Sequence, residues 1–236
     1  MATTARMKTL NGVDVDQLMA TIHAIEDNPE LAYFEFRAHS EWVDEARPQT
    51  EIQHVCGAGK KDTLRDELPV LRGDEPPVLL GSNAASNAVE TMLHGLAACL
   101  GVGIVYNAAA RGIEIERLEF DFDGDPYLRA FLSLSEEVRR GFGEVPVNYR
   151  IRTDAPREDV EEMCEQVKKT SPVLDIIANG VPVEISLEQR GRKRSELPER
   201  FPCHTCSRDT GSHGPVSLLA WRGRGSGLLR VYETAG

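Results

Sequence analysis

Thr91 to Ala110, TMLHGLAACLGVGIVYNAAA, is a run of 20 residues without Asp, Glu, Lys or Arg in an otherwise charged chain. About 20 apolar residues is the length that spans a bilayer, so the run must be either a membrane span or a helix covered by protein. Three glycines and the polar Thr91, His94 and Asn107 interrupt it, its flanks are acidic, and no Lys or Arg cluster orients it. The reading is a fully buried core helix, with no membrane partner. Ser82, Asn83, Ser86 or Asn87 is positioned to cap its start, Glu90 lies near the positive end of its dipole, and Arg111 with Gly112 marks its end.

The chain has 236 residues, with 27 Lys and Arg against 38 Asp and Glu, a formal charge of −11. Such a balance argues against a nucleic-acid partner. From Glu188 onward nine basic residues face five acidic ones, a net of +4, whereas residues 1–187 carry 18 against 33, or −15. That shift divides the chain into a domain over 1–187 and a basic, Gly- and Arg-rich tail over 188–236, for which disorder is expected. The opening MATTARMKTLNG holds no apolar run of signal-peptide length, so a cytoplasmic location is expected. Five cysteines, Cys56, Cys99, Cys164, Cys203 and Cys206, are an odd number that fits reduced thiols better than a disulfide framework.

Periodicity sets the order of elements. Residues 11–28 read as an amphipathic helix closed by Asn28 and Pro29. AYFEFRAHSEWV and TEIQHVC read as a hairpin turning at 46–49 and ending at Gly57, with a further strand near Leu68 to Leu71. After the long helix come a strand over IEIERLEFDFDGD, a helical insertion over LRAFLSLSEEVRRGF and a strand over VPVNYRIRTDA. A helix over PREDVEEMCEQVKKTS with Pro156 in its first turn and a strand over VPVEISLEQ complete the series. No glycine-rich phosphate loop follows any strand, and the expected class is α+β with mainly antiparallel strands.

The long helix carries a cysteine, Cys99, whose face includes Ala88, Met92, Gly95, Leu96, Gly103 and Tyr106 at near-integral turns. Gly95 and Gly103 lower helix propensity unless a second surface approaches, so they predict tight helix packing or room for a ligand beside the sulfur. A thiol in an apolar helix reads first as a small hydrophobe, and reactivity requires a donor or cation that favours the thiolate. His94 stands about 140° from Cys99 and does not share its face, whereas Glu90 and His94 do share one at i and i+4.

LLGSNAASNAVETMLHGLAACL, RGIEIERLEFDFDGD and KKTSPVLDIIANGVPVEISL together resemble the osmotically inducible protein C and organic hydroperoxide resistance (OsmC/Ohr) superfamily over residues 11–187. The resemblance is strongest at the cysteine helix, where the family pattern runs from Pro-x-Glu-Leu-Leu into Ala-Ala-Cys. It implies an OsmC-like fold, with curved antiparallel sheets wrapped around two central helices in an intertwined homodimer and an active site at each interface. It also implies that Cys99 is the peroxidatic thiolate, attacking an organic hydroperoxide to give an alcohol and a sulfenic acid, without cofactor or metal.

Two departures from the pattern stand out. The second cysteine, which precedes Pro-Val in the peroxidase branch and resolves the sulfenate, is Ser171 here. Cys164 lies about 10 Å back along the helix and Cys56 at the end of the hairpin, and these are the remaining candidates. The family's activating pair is an Arg and a Glu. The glutamate position of the hydroperoxide-resistance branch is Val89 in this chain, while branches beginning Pro-Val-Glu place the acid at Glu90. Arg37 is the candidate cation, although it and Trp42 also read as an edge salt bridge and a packed aromatic.

The expectation is an OsmC-like hydroperoxide reductase with Cys99, Glu90 and Arg37 at its site, reduced by an external thiol. The alternative is a binding protein of the same fold that holds a small apolar or thiol ligand without turnover. In the tail, Cys203, His204, Cys206 and His213 have a spacing compatible with part of a zinc site, but exposed thiols are the favoured reading.

Overall fold

The computed structural model describes residues 9–189, except 59, 62–64 and 127, together with 231–233. The expectations for the tail, including the C-x-x-C and its histidines, lie outside the described residues apart from Val231–Glu233.

The chain enters through a short hairpin, β1 (Thr9–Leu10) and β2 (Val13–Asp14), turned by Asn11 and Gly12. Both turn residues have positive φ, 53° and 78°, which the tight hairpin turn requires and an Asn-Gly pair adopts readily. The first helix therefore starts later than expected, as α1 (Val15–Asp27), capped by the Asp14 side chain. The Asn11 amide pins the hairpin to the far end of the long helix: its Nδ2 donates to Ile113 O and its Oδ1 accepts from Ile115 N, both at 2.9 Å.

β3 (Phe34–Glu35), β4 (Ala38–Asp44), β5 (Arg47–Ile52), β6 (Cys56–Gly57), β7 (Lys60–Lys61) and β8 (Val70–Arg72) form two small antiparallel sheets, in the orders β3-β6-β7 and β4-β5-β8. The expected single hairpin is thus split between two sheets. Its turn falls one residue earlier, at Glu45 and Ala46, where Glu45 adopts a φ of 43°. β4 is an edge strand whose seven residues are all exposed, Trp42 among them at 73%.

The uncharged run folds as α2 (Ala88–Arg111). Asn87 caps it by accepting from Glu90 N at 2.9 Å, and Glu90 Oε2 accepts from Asn87 N at 2.9 Å, a reciprocal capping box. Gly112, at φ 74°, closes it in the left-handed conformation that favours glycine. Then follow β9 (Arg117–Phe122), α3 (Leu128–Phe131), β10 (Val147–Arg152), α4 (Arg157–Thr170), α5 (Pro172–Asn179), β11 (Ile185–Leu187) and β12 (Val231–Glu233). β9 and β10 pair antiparallel, and β11 and β12 form the single parallel pair among the described strands. The architecture is α+β with mainly antiparallel sheets. Most of the expected helical insertion is turns, with only α3 helical.

The core forms where α2 meets α4 and the β9–β10 ribbon. Leu96, Leu100, Ile104 and Ala108 recur every four residues on α2 and pack with Met163, Cys164 and Val167 of α4. Leu118, Phe120, Phe122, Val147, Tyr149 and Ile151 close the core from the ribbon, with the Phe120 and Tyr149 rings 6.0 Å apart. A Cβ on Gly103 would lie 2.9 Å from Val167 Cγ1, so this glycine lets the two helices approach. The expectation of a fully buried helix is corrected: α4, α5, α1, β2 and β9 pack against α2 and leave one stripe uncovered among the described residues. That stripe, His94, Ala98, Val102 and Tyr106, is exposed within this chain.

One buried carboxylate orders the loop that leads into α2. Asp74 is 3% exposed and accepts four hydrogen bonds, from Glu75 N (2.8 Å), Ser82 N (3.3 Å), Ser82 Oγ (2.6 Å) and Ala84 N (2.8 Å). The Ser82 hydroxyl, followed by the Ala84 N–H, holds the carboxyl well below the usual carboxylate range. Gly81 belongs to the same knot, since a Cβ there would sit 1.9 Å from the Glu75 carbonyl oxygen.

Two measurements check this packing. Gly103→Val forces α4 away from α2 and is expected to lower the unfolding free energy by about 1–3 kcal/mol in denaturant titrations. A depressed carboxyl adds stability that is complete above its unfolded value of about 3.9 and is lost as pH falls toward the folded value. Asp74→Asn turns an amide donor toward backbone N–H groups, so its melting temperature should fall below wild type at neutral pH. The gap should narrow between about pH 4 and about pH 2; a constant gap would contradict the assignment.

Candidate functional site around Cys99

Cys99 sits near the middle of α2, half-buried, and its Sγ lies 3.2 Å from Ser171 Oγ. Two local features put them together. On α2, Gly103 follows Cys99 by one turn, and on the facing helix Val167 precedes Ser171 by one turn, so the two helices run antiparallel in a shared register. The chain then turns at Ser171, between α4 and α5, which keeps this residue against α2.

Ser171 is 5% exposed, and all its polar groups are engaged at the junction. Its N–H donates to Val167 O at 2.9 Å, ending α4, and its carbonyl accepts from Asp175 N at 3.0 Å, beginning α5. Its hydroxyl oxygen accepts from Leu174 N at 3.3 Å, capping α5, whose first residue is Pro172. α5 has no counterpart among the expected elements. The signal was present in Ser-Pro-x-x-Asp, a cap followed by proline at the first helical position and an acid in the first turn.

Ser171 therefore stands where the resemblance places a second cysteine, in direct contact with Cys99. The other candidate thiols do not reach the site. Cys164 lies seven residues before Ser171, about 10 Å along α4 by the helical rise, and so opposite residues near Tyr106 and Asn107. Disulfide formation needs Cα atoms within about 7 Å. Cys164 is buried, and burial pushes its thiol up. Cys56 is 2% exposed and disulfide-bonded, which corrects the expectation of five reduced thiols and removes it as a resolving candidate. Cys99 and Cys164 are the free thiols among the described residues, and only Cys99 is half-exposed.

Neither proposed activating residue contacts Cys99 within the chain. Glu90 is nine residues before it, about 13 Å along the axis, and its carboxylate serves the capping box. Arg37 Nη2 pairs with Glu35 Oε2 at 2.7 Å, the edge salt bridge that was the other reading of this residue. His94 is exposed and forms no ion pair with Glu90 among the described residues. The residue that does touch the sulfur, Ser171, entered the sequence reading only as a departure from the family pattern.

The sequence from residue 81 to 186, which holds α2, the ribbon, α4 and α5, matches the family model described as OsmC-like protein. No curated protein matches the chain. Among solved structures it is similar to an OsmC-like protein from Mycoplasma pneumoniae, at 15% identity and a TM-score of 0.47, over 61% of this chain and 87% of that one. It is also similar to an OsmC-like protein from Vibrio cholerae, at 11% identity and a TM-score of 0.46, over 60% and 92%. A third is an organic hydroperoxide resistance protein OsmC from Legionella pneumophila, at 18% identity and a TM-score of 0.42, over 62% and 90%. The Cys99–Ser171 pair lies within residues 81–186, the part of the chain that matches the OsmC-like family model.

Proposed function

We propose that the protein is a thiol-dependent organic hydroperoxide reductase in which Cys99 is the oxidised residue and an external thiol restores it. The observation that carries this reading is the contact between a half-exposed free thiol and a buried hydroxyl, where a second thiol would otherwise stand. The Cys99 thiolate attacks the distal oxygen of the hydroperoxide: an S–O bond forms, the O–O bond breaks, and the alkoxide takes a proton from solvent to leave as alcohol. An external thiol then displaces the sulfenic oxygen as water and forms a mixed disulfide. A second thiol releases Cys99 and carries away the external disulfide.

The same reading includes a homodimer. The exposed stripe on α2, with Val102 at 52% and Tyr106 at 49%, borders Cys99 on a helix that needs apolar cover. β4, exposed along its whole length at a sheet edge, has main-chain groups available for another strand. A second copy would cover both and could bring its own Arg37 or Glu90 toward Cys99. The alternative, a ligand-binding protein without turnover, rests on the missing second thiol at position 171.

With cumene hydroperoxide and a sulfenate trap, the adduct is expected on Cys99, and Cys99→Ser should abolish both adduct and turnover. Undiminished turnover in that variant would overturn the peroxidase, and an unreactive Cys99 would favour the binding protein. In S171C the new sulfur starts close to the 3.2 Å position of the hydroxyl, so one peroxide equivalent should close a disulfide with Cys99. Peptide mapping under non-reducing conditions reads that bond directly.

A further inference from the structure

We propose that Ser171 is itself a catalytic residue, whose hydroxyl donates a hydrogen bond to the Cys99 sulfur and holds it as the attacking thiolate. This rests on the peroxidatic role of Cys99 and adds a group that the family resemblance does not supply.

The direction of the bond follows from the charge state of the reacting sulfur. A serine hydroxyl has one proton and two acceptor sites. Leu174 N–H occupies one acceptor site from 3.3 Å, and the Cys99 sulfur lies 3.2 Å from the same oxygen, where either group can donate while the thiol keeps its proton. A thiolate carries no proton, so in the reactive form the hydroxyl must be the donor. The N–H of Leu174 polarises that hydroxyl in the helpful direction, because an oxygen that accepts a hydrogen bond becomes a better donor. The start of α5, an eight-residue helix, adds partial positive charge on the same side. Burial at 5% exposure keeps water from replacing the hydroxyl. Arg37 and Glu90 engage other partners, and Ser171 is the hydrogen-bonding group at the sulfur among the described residues. When the sulfur attacks, electrons flow from it into the new S–O bond and the hydroxyl proton stays on Ser171. The serine is neither oxidised nor consumed.

The test must separate donation from helix capping, since Ser171 does both. Gly at an N-cap costs a helix only a few tenths of a kcal/mol, and Asp caps as well as Ser. S171G removes the donor at little cost to the cap. S171D keeps the cap but sets an acceptor charge against the sulfur. The probes are iodoacetamide at Cys99, followed by mass spectrometry, and the rate of sulfenate formation with cumene hydroperoxide. Both are measured at neutral pH on full-length protein whose melting curve shows it folded.

Losing one hydrogen bond to a charged group should slow both reactions about tenfold in S171G, and S171D should be slower still. S171T, which keeps a hydroxyl, should restore most of the rate lost in S171G. Wild-type rates in S171D, or in S171G, would overturn the role of Ser171 while leaving the peroxidase reading in place. If S171G fails to fold, S171D against S171T decides the question by the same comparison. If wild-type Cys99 forms no sulfenate and yet S171G and S171D slow its alkylation, the hydrogen bond stands and the peroxidase reading fails.

Discussion

The close approach of α2 and α4 at Gly103 is the contact on which the rest of the site depends. A side chain at that position would meet Val167 at 2.9 Å, so the bare glycine sets both the separation and the register of the two helices. One turn further along, that register delivers Ser171 to Cys99 at 3.2 Å. It also carries Cys164 two turns away, where it is a buried core residue. Which thiol can react, and which group receives it, both follow from where two helices are allowed to touch.

The termini of these helices are built with equal economy. Ser171 ends α4, begins α5 and meets the sulfur with the one hydroxyl it has. At the other end of the site, the Asp74 knot shapes the loop before α2, and the Asn87–Glu90 capping box starts the helix cleanly. Each device satisfies backbone groups that would otherwise be left without partners as the loop turns inward. The Cys99 side of α2 is thereby held by local chemistry. The exposed stripe that borders Cys99, opposite the buried Leu96–Ala108 stripe, has no cover among the described residues and is the face the proposed dimer would use.

Much of this was legible in the sequence, and the misses have physical causes. The uncharged run, its cap and its stop at Gly112 gave α2 nearly to the residue, because 24 residues of one helix leave strong local signals. The alternation of Leu118, Phe120 and Phe122 gave the ribbon's inner face. The Asn11-Gly12 turn was readable and was merged into α1, since an asparagine before an amphipathic run also looks like a helix cap. Glu90 was read as a candidate activating acid, although Asn-x-x-Glu at a helix start already spelled a capping box. The pairing of Arg37 with Glu35 was one of two readings and could not be chosen locally, because it depends on where the chain crosses between two small sheets. The fate of Cys164 needed the interhelical register, which no local pattern encodes.

The central claim is that Cys99 is oxidised beside a serine and not beside a second thiol. Intact-mass measurement after one equivalent of organic hydroperoxide, with no reductant present, tests it most directly. The account predicts the gain of one oxygen, mapped to Cys99 and removed by a small external thiol. A loss of two hydrogens, marking an internal disulfide in the wild-type chain, would contradict it.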